Sequence, residues 1–185
     1  MSCGTLTAAY TVDCAAPIIG GIDQNVWLFN FEDFQDATVT LDGSNKYKIT
    51  AISGAVSFKI EQPGFNNVTS TQDLSYEVGI SRYKHVVNFL VAGGTPEASK
   101  LTDTLTKGLF VAAYISKDKQ IMFLGMGTGL RATAQTIRDF AANASSWTVQ
   151  LASEDTSLES KLPSHFVGSD GTFATAKTEF LALED

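Results

Sequence analysis

Residues 109–126 read LFVAAYISKDKQIMFLGM. Two apolar runs, residues 109–116 and 120–126, flank the polar triplet Lys117-Asp118-Lys119, and this arrangement is typical of a β-hairpin. Both runs are nearly continuous in apolar residues rather than alternating, so other parts of the chain should cover both faces of these strands. The hairpin is therefore predicted to lie at the centre of the core.

A short helix is predicted immediately before this hairpin. Thr95 suits the N-cap, Pro96 the first helical position and Glu97 the positive first turn, while Gly108 ends the pattern. The apolar residues of the segment share one face, and they are Ala98, Leu101 and Leu105.

Length and charge limit the class of protein. A chain of 185 residues, 44% of them hydrophobic, can build one domain with a sizeable core. The net charge of -7 disfavours binding to nucleic acid phosphates or anionic lipids.

No basic residue precedes Lys46, so a secretory signal or transit peptide is not indicated. The apolar runs are shorter than the roughly 20 residues of a membrane helix. We therefore expect a soluble protein of a cytosol-like compartment, without membrane insertion.

The cysteines and histidines do not predict a metal site. Cys3 and Cys14 lack the close spacing of zinc or redox motifs, which favours free thiols, with a disulfide as the alternative under oxidising conditions. His85 and His165 are the only histidines, and no loop offers a recognisable set of carboxylates to complete a site.

Short β-strands account for most of the chain. Residues 1–25 are small and polar and predict an extended arm that could cross to a neighbouring subunit, followed by a single β-sandwich domain over residues 26–185. Strands are predicted at 26–31, 37–41, 46–52 and 55–61, the last three as an antiparallel meander. From 74 to 91 the alternation changes parity, which indicates a bulge or turn near Ser81-Arg82. After Thr172, a helix is predicted, with a final edge strand as the alternative.

Residues 62–72 are rich in turn formers and predict a long loop. Phe65 is a large apolar side chain without a periodic partner here, which suggests a contact to another chain, while packing onto its own core remains an equal alternative. The candidate subunit-contact residues are Pro63, Gly64, Phe65, Asn66 and Asn67.

Two features resemble catalytic or cofactor sites. His85 lies in the apolar set of a strand, and no serine or cysteine nucleophile stands in a recognisable motif to partner it, so a packed histidine is predicted. Gly127-x-Gly129-x-x-Ala132 satisfies a relaxed dinucleotide fingerprint. That fingerprint requires repeated strand-helix units, whereas the upstream sequence predicts hairpins. The glycines are therefore predicted to turn the chain between strands. No catalytic residue and no cofactor are predicted.

Three further features accompany this order of elements. They are the Leu124-Gly125 to Gly129-Leu130 turn, the strand Trp147-Thr-Val-Gln-Leu-Ala-Ser-Glu, and the opening Asp13-Cys14 to Gly20-Gly21-Ile22. Together with the order of elements, they resemble the tail tube proteins of tailed bacteriophages, with the nearest likeness to virion structural proteins of phages and prophages of the Bacteroidetes.

The resemblance implies a mainly β protein: an antiparallel two-sheet sandwich or barrel with one flanking helix. The residue pattern after Thr172 adds the C-terminal helix or, as the alternative, a final edge strand. It also implies a non-enzymatic subunit of stacked hexameric rings in a virion, assembled in the bacterial host cytoplasm. The partners would be copies of itself and other tail proteins, and genome DNA would pass without specific binding. The alternatives are another tail or virion component, or a receptor- or carbohydrate-binding β module.

Overall fold

The computed structural model describes residues 21–62, 67–77, 80–138 and 146–185. These residues form twelve strands and three helices: β1 Ile22–Asn30, α1 Phe31–Asp36, β2 Thr38–Leu41, β3 Lys48–Ser53, β4 Phe58–Glu61, β5 Thr69–Glu77, β6 Ile80–Val91, α2 Pro96–Lys107, β7 Phe110–Ser116, β8 Ile121–Leu124, β9 Arg131–Ala132, β10 Ile137–Arg138, β11 Trp147–Ala152, β12 Ser164–Phe166 and α3 Phe173–Leu181.

The strands form two sheets. The larger sheet has seven strands in the order β2-β3-β12-β8-β7-β1-β4, and the smaller has five, with β10-β11-β6-β5 in order and β9 paired to β11. Neighbouring strands pair antiparallel except β3 and β12, which run parallel. The predicted mainly β, antiparallel two-sheet sandwich with flanking helices is confirmed.

The hairpin of β7 and β8 lies inside the larger sheet, between β1 and β12. One face of this sheet packs on the smaller sheet through an apolar layer that includes Val26, Leu28, Val87, Phe89, Ala112, Leu124, Val149 and Leu151. The opposite face packs on α1 and α3 through a second layer that includes Trp27, Phe29, Phe34, Val111, Phe123, Phe166 and Phe180. Both faces of the hairpin are therefore covered, as its continuous apolar runs predicted.

The two longer helices form as the sequence predicted. The Thr95 side chain accepts a hydrogen bond from the Ala98 amide at the start of α2. Thr172 caps α3 in the same way through the Thr175 amide. Ala98 and Leu105 of α2 are buried, but Leu101 is 39% exposed, so the predicted apolar face of α2 is only partly covered.

The predicted meander is wrong at its third strand. β2 and β3 pair antiparallel, but β4 pairs with β1, and β3 takes β12 as its second neighbour. The physical reason is that β1 supplies an apolar partner for β4, because Val26 lies opposite Ile60. Alternation along a strand identifies its two faces but not the strand beside it.

Three predicted boundaries shift. β1 begins at Ile22, inside the predicted arm of residues 1–25, and Ile22 pairs with Ser116; residues 1–20 lie outside the described part of the chain. β5 begins at Thr69, so the predicted loop of residues 62–72 is shorter. The change in alternation that predicted a bulge or turn near Ser81-Arg82 comes instead from the connection between β5 and β6. Glu77 pairs with Ile80, and the pairing of the two strands continues through Ser81 and Arg82 without a shift.

Candidate functional site

The glycine-rich segment after β8 is a tight turn between strands. Gly125 and Gly129 have φ of 74° and 76°, a conformation that glycine adopts without strain. The Gly129 amide donates to the Gly125 carbonyl at 3.0 Å, and Leu130 then pairs with Phe110. The glycines thus turn the chain between β-paired segments, as predicted.

The backbone of this turn binds an anion from the protein itself. The carboxylate of Glu159, only 4% exposed, accepts from the Gly127 amide at 3.1 Å and the Thr128 amide at 2.9 Å. It also accepts from the Thr128 hydroxyl at 3.1 Å. Successive amides that converge in a turn are a common way to hold an anion. The resemblance to a phosphate-binding loop therefore reflects real backbone chemistry, with Glu159 as the bound group.

A side chain at position 127 would displace the Glu159 carboxylate from this position. A Cβ atom added there would lie 2.7 Å from the Glu159 Oε2 atom. The backbone of Glu159 also exchanges two hydrogen bonds with Tyr83 of β6, at 2.8 and 2.9 Å. Glu159 consequently joins the glycine turn to the β5–β6 hairpin.

His85 fixes the same turn from the other side. The side chain is 2% exposed, and its Nδ1 accepts from the Gly125 amide at 3.2 Å. An accepting Nδ1 places the proton of the neutral ring on Nε2. Burial lowers the pKa of His85 below its ordinary value of 6.5, and the Glu159 carboxylate and the Lys161 carbonyl oppose that shift only in part. The predicted packed histidine is confirmed.

A cavity of about 200 Å³ lies beside this cluster, and its lining includes His85, Glu159, Lys46, Ser160, Lys161 and Ser164. Nε2 of His85 makes no hydrogen bond of good geometry among the described residues, and the Lys161 carbonyl is the nearby acceptor for its proton. Three donors bond to the Glu159 carboxylate, and one donor bonds to Nδ1 of His85. Both side chains therefore stabilise the glycine turn. Within the described ranges, no group of three or more His, Cys, Asp or Glu side chains could hold a metal ion.

The candidate contact loop is only partly described. Pro63, Gly64, Phe65 and Asn66 lie outside the described residues, and Asn67 is half-buried. The residues on either side are anchored: Val68 is 5% exposed in the core, and Gln62 bonds to Leu90 through its side chain.

The two edges of the larger sheet expose large apolar side chains. Phe58 on β4 is 46% exposed and Leu41 on β2 is 39% exposed. Phe58 lies two residues before buried Ile60 on β4 and so shares its face of the sheet. Its neighbour Leu28 is buried there, but β4 is the last strand of its sheet, so Phe58 is covered on one side only. Strand order, which the sequence does not reveal, determines this exposure.

A groove of about 740 Å³ runs between β4 and α2. Its apolar lining includes Phe58, Ile60, Val91 and Leu101, and its acidic lining includes Glu61, Glu97, Glu184 and Asp185.

No described helix combines the length and apolar character needed to cross a membrane. Comparison of the chain with known protein families, curated proteins and solved structures finds no match.

Proposed function

We propose that this protein is a structural subunit of a virion, a tail tube subunit that assembles with copies of itself into stacked rings. The family resemblance of the sequence suggests the assembly. The structural observation that supports it is the pair of open, apolar edges on the larger sheet.

The β4 edge is open at Lys59 and Glu61. The C-terminal residues bond to Ser57 just before the strand, through the Leu183 carbonyl and the Asp185 amide. Beyond that point, β4 pairs only with β1 in the described part of the chain. The exposed ring of Phe58 borders this stretch.

The β2 edge lies at the opposite end of the same sheet. β2 pairs only with β3 among the described strands, and Leu41 at its end is exposed. Soluble proteins usually protect edge strands with bulges, prolines or inward-pointing charges, because open edges pair with other chains. β2 contains no charged residue and no proline, and only its end carries a register shift, between Thr40 and Leu41; β4 carries the ion pair of Lys59 and Glu61.

Two different edges favour a head-to-tail contact. When the β4 edge of one copy meets the β2 edge of the next, the growing assembly keeps one free edge of each kind at its ends, and it closes into a ring or grows as a filament. Burying the exposed half of the Phe58 side chain contributes about 1 kcal/mol, and each contact repeats that gain. The net charge of -7 would limit adhesion of DNA passing through such a ring.

The test is sedimentation velocity with negative-stain microscopy of three proteins: wild type, Phe58→Lys and Ile80→Lys. Ile80 is also exposed, at 55%, but it belongs to β6 of the smaller sheet. We expect rings or tubes from wild type and from Ile80→Lys, and monomers with unchanged melting from Phe58→Lys.

A mixing experiment identifies the geometry. Leu41→Lys keeps an intact β4 edge and Phe58→Lys keeps an intact β2 edge. Each variant alone should be monomeric, whereas an equimolar mixture should form dimers through the one intact contact. Wild-type protein that stays monomeric at all concentrations, with melting raised by a sugar ligand, would instead support the carbohydrate-binding alternative.

A further inference from the structure

The outer edge of β5 is the longest open strand edge in the described part of the chain. β5 pairs with β6 over all nine of its residues without a shift of register, and among the described strands it has no second neighbour. Leu74 on this strand is 60% exposed. A long, regular edge with an exposed apolar side chain is a template for another strand.

Within the predicted arm, residues 5–12 show a strand pattern of similar length. In residues 5–12, apolar Leu6, Ala8, Tyr10 and Val12 alternate with Thr5, Thr7, Ala9 and Thr11. Alternation of this kind, with β-branched and aromatic residues, is typical of a half-buried strand. The stretch carries no charge and so adds no repulsion to Asp73 of β5. Residues 5–12 lie outside the described part of the chain.

The described chain starts close to β5. The Gly21 carbonyl accepts from the Lys117 amide at 3.0 Å. Three residues before Lys117, the Tyr114 side chain interacts with Ser70 and Gln72 of β5. Residues 13–20 separate the alternating stretch from Gly21, and eight extended residues span about 26 Å. The stretch can therefore reach β5 of its own chain.

We propose that residues 5–12 of the same chain pair with the outer edge of β5 as a further strand of the smaller sheet. Leu74 lies on the face of β5 that also carries Gln72, opposite buried His85. Leu6 and Tyr10 would share that face and cover Leu74, and the threonines would face solvent. A tethered strand has a high effective concentration at the edge, which favours the chain's own segment over that of a neighbour.

Hydrogen exchange read by mass spectrometry over residues 69–77 tests this proposal in the full chain, at concentrations where the protein is monomeric. Pairing with β6 protects only about every second β5 amide, so we expect wild type to protect the outward-facing β5 amides as well. In Leu6→Asp/Tyr10→Asp, exchange of these amides should become about tenfold faster or more. The matched control Thr7→Asp/Thr11→Asp adds the same charge to the opposite face and should stay within about twofold of wild type.

Three results would overturn the proposal: protection in wild type of only the β5 amides that bond to β6, equal exchange in the two double variants, or protection of the outward-facing amides that disappears on about a hundredfold dilution of the protein. The last result would assign the strand to a neighbouring copy. Thermal melting of both variants shows whether the core remains folded. Because the measurement uses monomers, its outcome is independent of ring formation.

Discussion

The side-chain amide of Gln62 bonds both backbone polar groups of Leu90. Its Oε1 accepts from the Leu90 amide at 2.8 Å, and its Nε2 donates to the Leu90 carbonyl at 3.0 Å. Leu90 belongs to β6 of the smaller sheet, and Gln62 directly follows β4 of the larger one. A single side chain thus takes the place of a strand neighbour and joins the two sheets.

We expect Gln62→Ala to destabilise the domain by about 1–3 kcal/mol, because it leaves the Leu90 amide and carbonyl without partners in a half-buried position. Denaturant unfolding measures this change. Gln135→Ala is the control, since Gln135 is exposed between β9 and β10, and it should cost no more than about 0.5 kcal/mol. Equal effects of the two substitutions would show that the link between Gln62 and Leu90 contributes nothing.

Gly127→Ala should destabilise the fold by about 1–3 kcal/mol, because the new Cβ overlaps the Glu159 carboxylate. Gly43→Ala is the matched control, since a Cβ at Gly43 meets nothing within 4 Å. In a double-mutant cycle with Glu159→Ala, the two losses should fall short of additivity by about 1 kcal/mol. Additive losses would mean that the two residues do not interact in solution.

Stability should fall as the pH drops below about 6.5, because of His85. The folded state holds the pKa of His85 below its ordinary 6.5, so the unfolded chain takes up the proton first. The loss begins at the unfolded pKa and continues down to the folded one, at up to about 1.4 kcal/mol per pH unit. Above pH 6.5 the imidazole is neutral in both states and adds no pH dependence.

Unfolding free energies of wild type, His85→Asn and His165→Asn between pH 5 and 8 would measure this effect. Asparagine can still accept a hydrogen bond from the Gly125 amide but does not titrate. We expect His85→Asn to flatten the profile and His165→Asn to keep most of it, although the pKa of His165 is also lowered by burial. An unchanged slope in His85→Asn would assign the pH dependence to other groups.

Phe65→Ser should leave the melting of the isolated subunit nearly unchanged and shift assembly to higher protein concentration. The expectation rests on the sequence, in which a lone phenylalanine stands between Gly64 and Asn66. Subunit melting at dilution and sedimentation velocity measure the two effects. A subunit that melts several degrees lower would place Phe65 in its own core.

The secondary-structure elements that were predicted correctly are those determined by residues close together in the sequence. The capped helices and the central hairpin follow from patterns of neighbouring residues, and they appear at nearly the predicted positions. The pairing of β4 with β1 was missed because it depends on which apolar surfaces fit together across long separations. β10 and β12 were missed because each contains only two or three residues, too few to show a period.

The candidate site was predicted only in part. The glycine turn was recognised as a turn, and His85 as a packed side chain. Glu159 was not found, because a single carboxylate in a polar loop has no distinguishing neighbours in the sequence. The one available signal was the glycine turn itself. Its backbone amides resemble those of a phosphate-binding loop, and here they bind the Glu159 carboxylate of the same chain.

The position of β12 between β3 and β8 affects how the protein folds on the ribosome. Among the described strands, β2 and β3 join the rest of the larger sheet only through β12, which is synthesised near the end of the chain. The edge of β3 that pairs with β12 therefore stays unpaired until residue 166 has left the ribosome. Pairing over such a separation is slow compared with local hairpin formation. We expect docking of β2 and β3 to be a late step of folding, and the nascent chain to need protection from aggregation until then.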